Sequence, residues 1–254
     1  MVVKRKRAFV PFAIVVLGLS LLFSPSSYAK SSEIDMYLKE IVQLQPGTTE
    51  QEILESITDY AKSQKMTKDE VIKMVYQELI TDKEEGDKVA KENGNEKKDA
   101  VIFGGSSGSY VLPMSTKGNI FYSDSYTAYY NHGHVGMYSA SDKIVEAVPG
   151  DGVRQIKYNA RNVEKNSIIQ RVNVTTTQKN NAADWAVSQV GSSYSFNFAT
   201  NRLTGHDGDK NCSKLLWSAF TLKANIDIDH NGGLGVYPRD ITASSYTTTI
   251  ATIN

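Results

Sequence analysis

The chain has 254 residues, 40% of them hydrophobic and 22% charged, which suits one sizeable folded domain with an appendage and sets disorder aside. Basic and acidic side chains number 28 each, so nucleic acid is not an expected partner. One cysteine, Cys212, excludes an internal disulfide.

At the amino terminus, Lys4-Arg5-Lys6-Arg7 precede an apolar run from Ala8 to Phe23 and then Ser27-Tyr28-Ala29. Basic, apolar and small-residue regions in that order read as a signal peptide over residues 1–29, with cleavage expected after Ala29. A retained anchor is the alternative, although a run of about 16 residues falls short of the roughly 20 that span a bilayer. Cleavage removes four basic and no acidic residues, leaving a mature chain at −4. No second apolar run of that length follows. The expected mature protein therefore has no stable membrane span and is secreted or cell-wall associated. In such an oxidising place a lone thiol either pairs with another chain or is reactive.

Residues 31–92 form a predicted helical segment. Ile34, Leu38, Ile41 and Val42, then Ile53, Ile57 and Tyr60, then Val71, Val75 and Leu79 recur at helical spacing. Thr49 with Glu52 and Thr67 with Glu70 fit capping boxes, and Pro46-Gly47 breaks the chain between the first two helices. From Lys83 to Lys98 the sequence is almost wholly charged or polar, which suggests a solvated helix end running into a linker at 93–100. Charge marks the same boundary: residues 31–100 hold 17 acidic and 10 basic side chains, residues 101–254 hold 11 and 13. Nothing in the helical part suggests chemistry, and it reads as a spacer or docking module.

Residues 101–254 read as an α+β domain. Short β-branched or aromatic runs at Val101 to Phe103, Asn119 to Tyr122, His134 to Tyr138, Ile144 to Val148 and Ile168 to Val174 are separated by Gly, Ser, Asp or Asn. One helix is predicted from about Asn181 to Val190 and another, heavily apolar, from Cys212 to Ala224.

Residues 134–148 form a predicted hairpin around Ser139 to Lys143. With the turn centred on Ala140, paired residue numbers sum to 280, which sets His134 opposite Glu146 at cross-strand distance. His132 then faces Val148, which can orient nothing. Alternation puts His134, Gly136 and Tyr138 on one face, and Gly136 leaves room for another element to approach. Glu146 lies in an otherwise apolar run, where a carboxylate is costly unless paired. A structural ion pair, or a one-residue slip that turns Glu146 to solvent, is the competing account.

Cys212 follows the turn-rich Asp207 to Asn211 and opens the apolar helix. Asn211 as N-cap places the sulfur in the first helical turn, where free N–H groups and the helix dipole favour a thiolate. A small buried hydrophobe is the commoner fate of a lone cysteine, but fits poorly among Asp, Lys, Asn and Ser. Thiol, imidazole and carboxylate are the parts of a cysteine hydrolase.

"HGHVGMY…IVEAVPGDGV" followed by "VGSSYSF…NCSKLLWSAF" resembles the circularly permuted NlpC/P60 (papain-like) family. That group includes YiiX-like and YycO-like bacterial proteins and is related to lecithin:retinol acyltransferase. The resemblance covers roughly residues 100–246. It implies an antiparallel sheet or small barrel packed against the cysteine helix, with Cys212 as nucleophile, His134 as base and Glu146 as third polar residue. It places Tyr194 near the substrate, and implies no metal or cofactor. Gly118-Asn119-Ile120 departs from the Gly-Asp-Ile common in the family. The implied function is an exported thiol hydrolase that cleaves amide bonds through an acyl-enzyme, with peptidoglycan peptide or another amide as partner.

Rival readings are a thiol acyltransferase or esterase acting on lipid acyl groups, a non-catalytic wall-peptide binding module, and a metal site of His132, His134, His206 and Cys212. "DIDHNGG" at 227–233 begins like a calcium loop, but Pro238 stands where the bidentate glutamate belongs, so a loop turn is expected.

Overall fold

The computed structural model describes residues 25–95, 108–127 and 130–254. Residues 1–24 of the expected leader and the strand expected at 101–103 lie outside the described residues. Helix α1 spans Pro25–Leu44, α2 Glu50–Gln64 and α3 Lys68–Asn93. Both capping boxes form: Thr49 accepts from the Glu52 amide and Thr67 from the Glu70 amide, while each glutamate reaches back to its threonine N–H. No helix among the described residues is long and apolar enough to cross a membrane.

The charged stretch after Lys83 stays helical to Asn93, where Gly94 caps it in the left-handed region at φ 67°. One side of it is buried through Asp82, Gly86 and Ala90. Gly86 explains itself by contact: a Cβ there would stand 2.2 Å from the Asn131 carbonyl oxygen. Only a glycine lets α3 press this closely on the chain just before His134.

From Tyr110 the chain turns to strands: β1 Tyr110–Val111, β2 Ile120–Ser123, β3 Tyr126–Thr127, β4 Tyr130–Asn131, β5 His134–Ala140, β6 Lys143–Val148, β7 Gly152–Lys157, β8 Asn162–Val163, β9 Ile168–Val172 and β10 Thr247–Thr252. Six make one antiparallel sheet in the order β10-β9-β2-β5-β6-β7. The remaining four pair as two ribbons, β1 with β8 and β3 with β4. Three helices complete the fold: α4 Thr176–Ser188, α5 Cys212–Ala224 and α6 Pro238–Ala243. Helix α4 begins five residues before the expected Asn181, because Thr175 and Gln178 form a capping box that the apolar period does not display.

Val135, Met137, Val145 and Ala147 line one sheet face and share a core with Leu215, Leu216 and Phe220 of α5 and with Ile41, Ile53, Val75 and Leu79 of the first three helices. Phe121, Tyr138, Ile144 and Ile169 line the other face, with Leu112 and Val163. The amino-terminal helices are thus part of the main core.

Their polar side chains hold loops of the sheet region. Gln45 Oε1 accepts from the amides of Phe198 (2.5 Å) and Ala199 (2.9 Å). Glu78 accepts from those of Leu234 (2.9 Å) and Gly235 (3.0 Å). Asp82 takes a two-pronged contact from Arg239, at 3.0 and 2.6 Å. The Gly86 carbonyl accepts from Asn131 Nδ2 at 3.1 Å. Asp82→Ala removes the carboxylate from a buried pair and leaves Arg239 with the Asp82 carbonyl and the Tyr122 hydroxyl. That change is expected to cost about 3–5 kcal/mol. Urea unfolding measures it, and a loss below about 1 kcal/mol would show that this pair does not anchor α3.

Candidate active site

The site is built outward from the start of α5. Asn211 is its N-cap, as expected: the side-chain oxygen accepts from the Lys214 amide at 2.9 Å. Asn211 is itself held by neighbours. Its Nδ2 donates to the Asn197 carbonyl at 2.9 Å, and its Oδ1 accepts from Asn201 Nδ2 at 3.2 Å. Asn201 in turn accepts from the Val236 amide at 2.7 Å and donates to the Val236 carbonyl at 3.0 Å. This buried amide network, invisible to hydrophobic periodicity, fixes the helix start and hence the Cys212 sulfur.

Cys212 is fully buried. The N–H groups of Val135, Ser213 and Cys212 itself are directed at its sulfur. Val135 directly follows His134, so the sulfur lies against the start of β5, next to the imidazole-bearing residue.

His134 Nε2 donates to Glu146 Oε2 at 2.8 Å, with both side chains buried. The hairpin register differs from expectation by two residues. Met137 pairs with Val145 and Tyr138 with Ile144, and an irregularity between Tyr138 and Ala140 absorbs the difference. Continued along the strands, this sets Glu146 opposite Gly136 and puts His134 one diagonal step away. A shift of two preserves the faces, so the contact survives as a diagonal pair.

Gly136 has a different reason from the one expected. A Cβ there would stand 2.4 Å from the Phe121 ring and 3.3 Å from the Glu146 Cβ. The glycine admits Phe121, whereas α5 packs on the Val135 and Met137 face.

Two arginines complete the site, and sequence reasoning missed both. Arg154 binds Glu146 Oε1 through Nε at 3.0 Å and Nη2 at 2.6 Å, and Asp151 through Nη1 at 2.6 Å. Arg161, 2% exposed, brings Nη1 to 3.6 Å from Glu146 Oε2. Arg154 had a readable signal. Pro149-Gly150-Asp151 is a turn, and the hairpin across it pairs Glu146 with Arg154. Arg161 follows the short 3-10 turn Tyr158–Ala160 and had no such signal.

Burial alone would raise the Glu146 carboxyl, but Arg161, His134 and Arg154 together bring it down to about 2. Burial lowers His134, and Arg161 lowers it further against the opposing pull of Glu146. Burial also pushes the Cys212 thiol up to about 11, despite the N–H groups and Arg161. This runs against the expectation of a thiolate favoured by the helix start: desolvation outweighs the N–H groups at the sulfur, and burial favours the uncharged form of both Cys212 and His134.

Tyr194 lies in an isolated bridge with Lys210, two residues before Cys212, and its hydroxyl is raised well above its ordinary value by burial and by Cys212. Its ring meets Phe196 edge-on at 4.9 Å. His132 packs on Phe198 at 5.0 Å and is driven down to about 3 by burial, with Arg239 adding to it. His206 pairs with Ser218, six residues along α5 from Cys212, at 3.1 Å and packs on Trp217. In the 227–233 stretch, Asp227 and Asp229 hold Arg202, and Asn231 caps the turn by accepting from the Gly233 amide at 2.7 Å. Asn119, at the departure from Gly-Asp-Ile, donates to Ser115 at 2.9 Å.

With this geometry in place, comparison with known proteins gives the family. Residues 100–242, more than half of the chain, match the family described as "Permuted papain-like amidase enzyme, YaeF/YiiX, C92 family". The chain belongs to this family. It is a cysteine amidase-type hydrolase of permuted papain-like α+β fold. It is also similar to the "Uncharacterized protein YycO" of Bacillus subtilis (strain 168), 65% identical over 225 residues, or 89% of this chain and 90% of that one. The crystal structure of the metalloprotein yiiX from Escherichia coli O157:H7 is similar over 56% of this chain and 98% of that one, at 15% identity and a TM-score of 0.39.

The site makes two measurable statements. Because Cys212 is the sole cysteine, iodoacetamide alkylation followed by mass reports it alone. The rate should rise with pH towards a midpoint well above the ~8.5 of a free thiol. A plateau already reached at pH 5 would mean a resting ion pair instead. Gly136→Ala should cost about 1–3 kcal/mol by overpacking against Phe121 and lower hydrolytic activity through the displaced Glu146. Unchanged melting and activity would remove that glycine from the site's construction.

Proposed function

We propose that the protein is an exported thiol hydrolase that cleaves amide bonds in cell-wall peptide stems. The observation that carries this reading is the meeting, at the start of β5 and α5, of the Cys212 sulfur with the chain that bears the His134–Glu146 pair. Export is supported by the basic, apolar and small-residue order of residues 1–29. Peptidoglycan supplies the amide partner that such a location offers.

With Nε2 given to Glu146, Nδ1 is the ring nitrogen left for the thiol. Cys212 Sγ attacks the carbonyl carbon as its proton passes to His134 Nδ1, and an S–C bond forms. The Cys212 backbone N–H stabilises the oxyanion, and Tyr194 flanks the acyl group. His134 then returns the proton to the leaving amine as the C–N bond breaks. Water attacks the thioester, giving its proton to His134, and the carboxylic acid leaves with the thiol restored. Glu146 stays ionised throughout and holds the imidazole in one tautomer.

The test is to incubate the mature protein and Cys212→Ala with purified muropeptides and with acyl esters, scoring new amino termini and released acids. Wild type should free amino termini. Cys212→Ala should be inactive and Glu146→Gln slower by about 10²-fold or more. Ester cleavage without amide cleavage would favour lipid acyl chemistry. Binding without turnover by wild type would favour a wall-peptide binding module, and activity surviving in Cys212→Ala would overturn the thiol mechanism.

A further inference from the structure

Arg161 is the least explained group near the site. It is 2% exposed, and among the described residues neither its Nε nor its Nη1 has a hydrogen-bond acceptor. A buried guanidinium with idle donors is costly and calls for a reason. Folding alone supplies none, because Arg154 already satisfies Glu146 Oε1 with two hydrogen bonds and His134 satisfies Oε2. Arg161 stands off at 3.6 Å, near enough for its charge but not for a hydrogen bond. Its charge acts on Glu146, His134 and Cys212 alike. Its backbone N–H closes the Tyr158–Ala160 turn on the Tyr158 carbonyl at 3.3 Å, which fixes where the side chain enters.

We propose that Arg161 is a positioning residue of the hydrolytic site, keeping Glu146 a carboxylate for His134 and giving the Cys212 sulfur a cationic neighbour as its proton leaves. The inference rests on Cys212 being the nucleophile. Arg154 is a poor candidate for the second task, since its charge is shared between Glu146 and Asp151. Arg161 reaches Glu146 alone among the described carboxylates, so part of its field remains for the anion that forms at the sulfur. In a buried site that field is weakly screened. It also opposes an imidazolium at His134, which favours proton passage during attack over a standing ion pair.

The test needs no substrate: iodoacetamide alkylation of the full mature chain, followed by intact mass across pH, in wild type, Arg161→Gln, Arg161→Lys and Glu146→Gln. Arg161→Gln should move the midpoint upward and slow alkylation about tenfold at a pH below it. Arg161→Lys, which keeps the charge, should restore most of the rate. Glu146→Gln, which leaves Arg161 uncompensated, should move the midpoint downward. An unfolded Arg161→Gln would behave as a free thiol and shift down instead, and the Glu146→Gln arm then decides. Coincidence of folded Arg161→Gln with wild type, or a Glu146→Gln midpoint that fails to fall, overturns the proposal. Muropeptide turnover is scored separately, so failure of the hydrolase reading leaves its own mark.

Discussion

A carboxylate with no solvent exposure, set in the middle of an apolar strand, is the constraint around which the site is arranged. Left alone, Glu146 would be protonated or the strand would not pack. His134, Arg154 and Arg161 come from three successive parts of the chain to hold it ionised, and each arrives by a backbone device: the diagonal of one hairpin, the register of the next, and a short turn. The space for that meeting is opened by the missing side chain at Gly136, which lets Phe121 fill the face without displacing the carboxylate. The order of the candidate site here follows from an electrostatic demand inside the sheet.

The Cys212 sulfur is held by a second, independent system. Asn197, Asn201 and Asn211 tie the loop before α5 to the Val236 backbone. The amino-terminal helices then fasten the surrounding loops from outside, with Gln45 on 198–199, Glu78 on 234–235 and Gly86 on Asn131. In each case a helix side chain or carbonyl pairs with a buried polar group of the neighbouring chain. The amino-terminal helices thereby position the chain on both sides of the site.

Much of this was legible in the sequence where one local rule suffices. The capping boxes at Thr49 and Thr67, the N-cap at Asn211 and the strand character of β5 and β6 each follow from a few adjacent residues. The His134 to Glu146 contact was legible too, because an error of two in register leaves the faces unchanged. What escaped depends on distant pairings. The bulge near Ser139 set the true register, the partner of Gly136 came from β2, and Arg161 entered from a turn with no periodic signal. The thiol's protonation state escaped for a related reason: the helix start is local, but burial is a property of the whole core.

Burial that favours the protonated thiol has a consequence for a lone cysteine in a protein proposed to work outside the cell. The thiolate is the form that oxidants and disulfides attack, so a buried, protonated Cys212 is protected while idle. In the proposed mechanism, reactivity is then created by the encounter itself, when an amide carbonyl at the sulfur makes proton loss to His134 favourable. This arrangement requires that the imidazole be neutral before attack and that its orienting carboxylate never be protonated. Glu146, brought down to about 2 by Arg161, His134 and Arg154, meets the second condition. The lowered His134 meets the first. Burial, which makes the thiol a poor nucleophile in isolation, is thus also what reserves it for substrate.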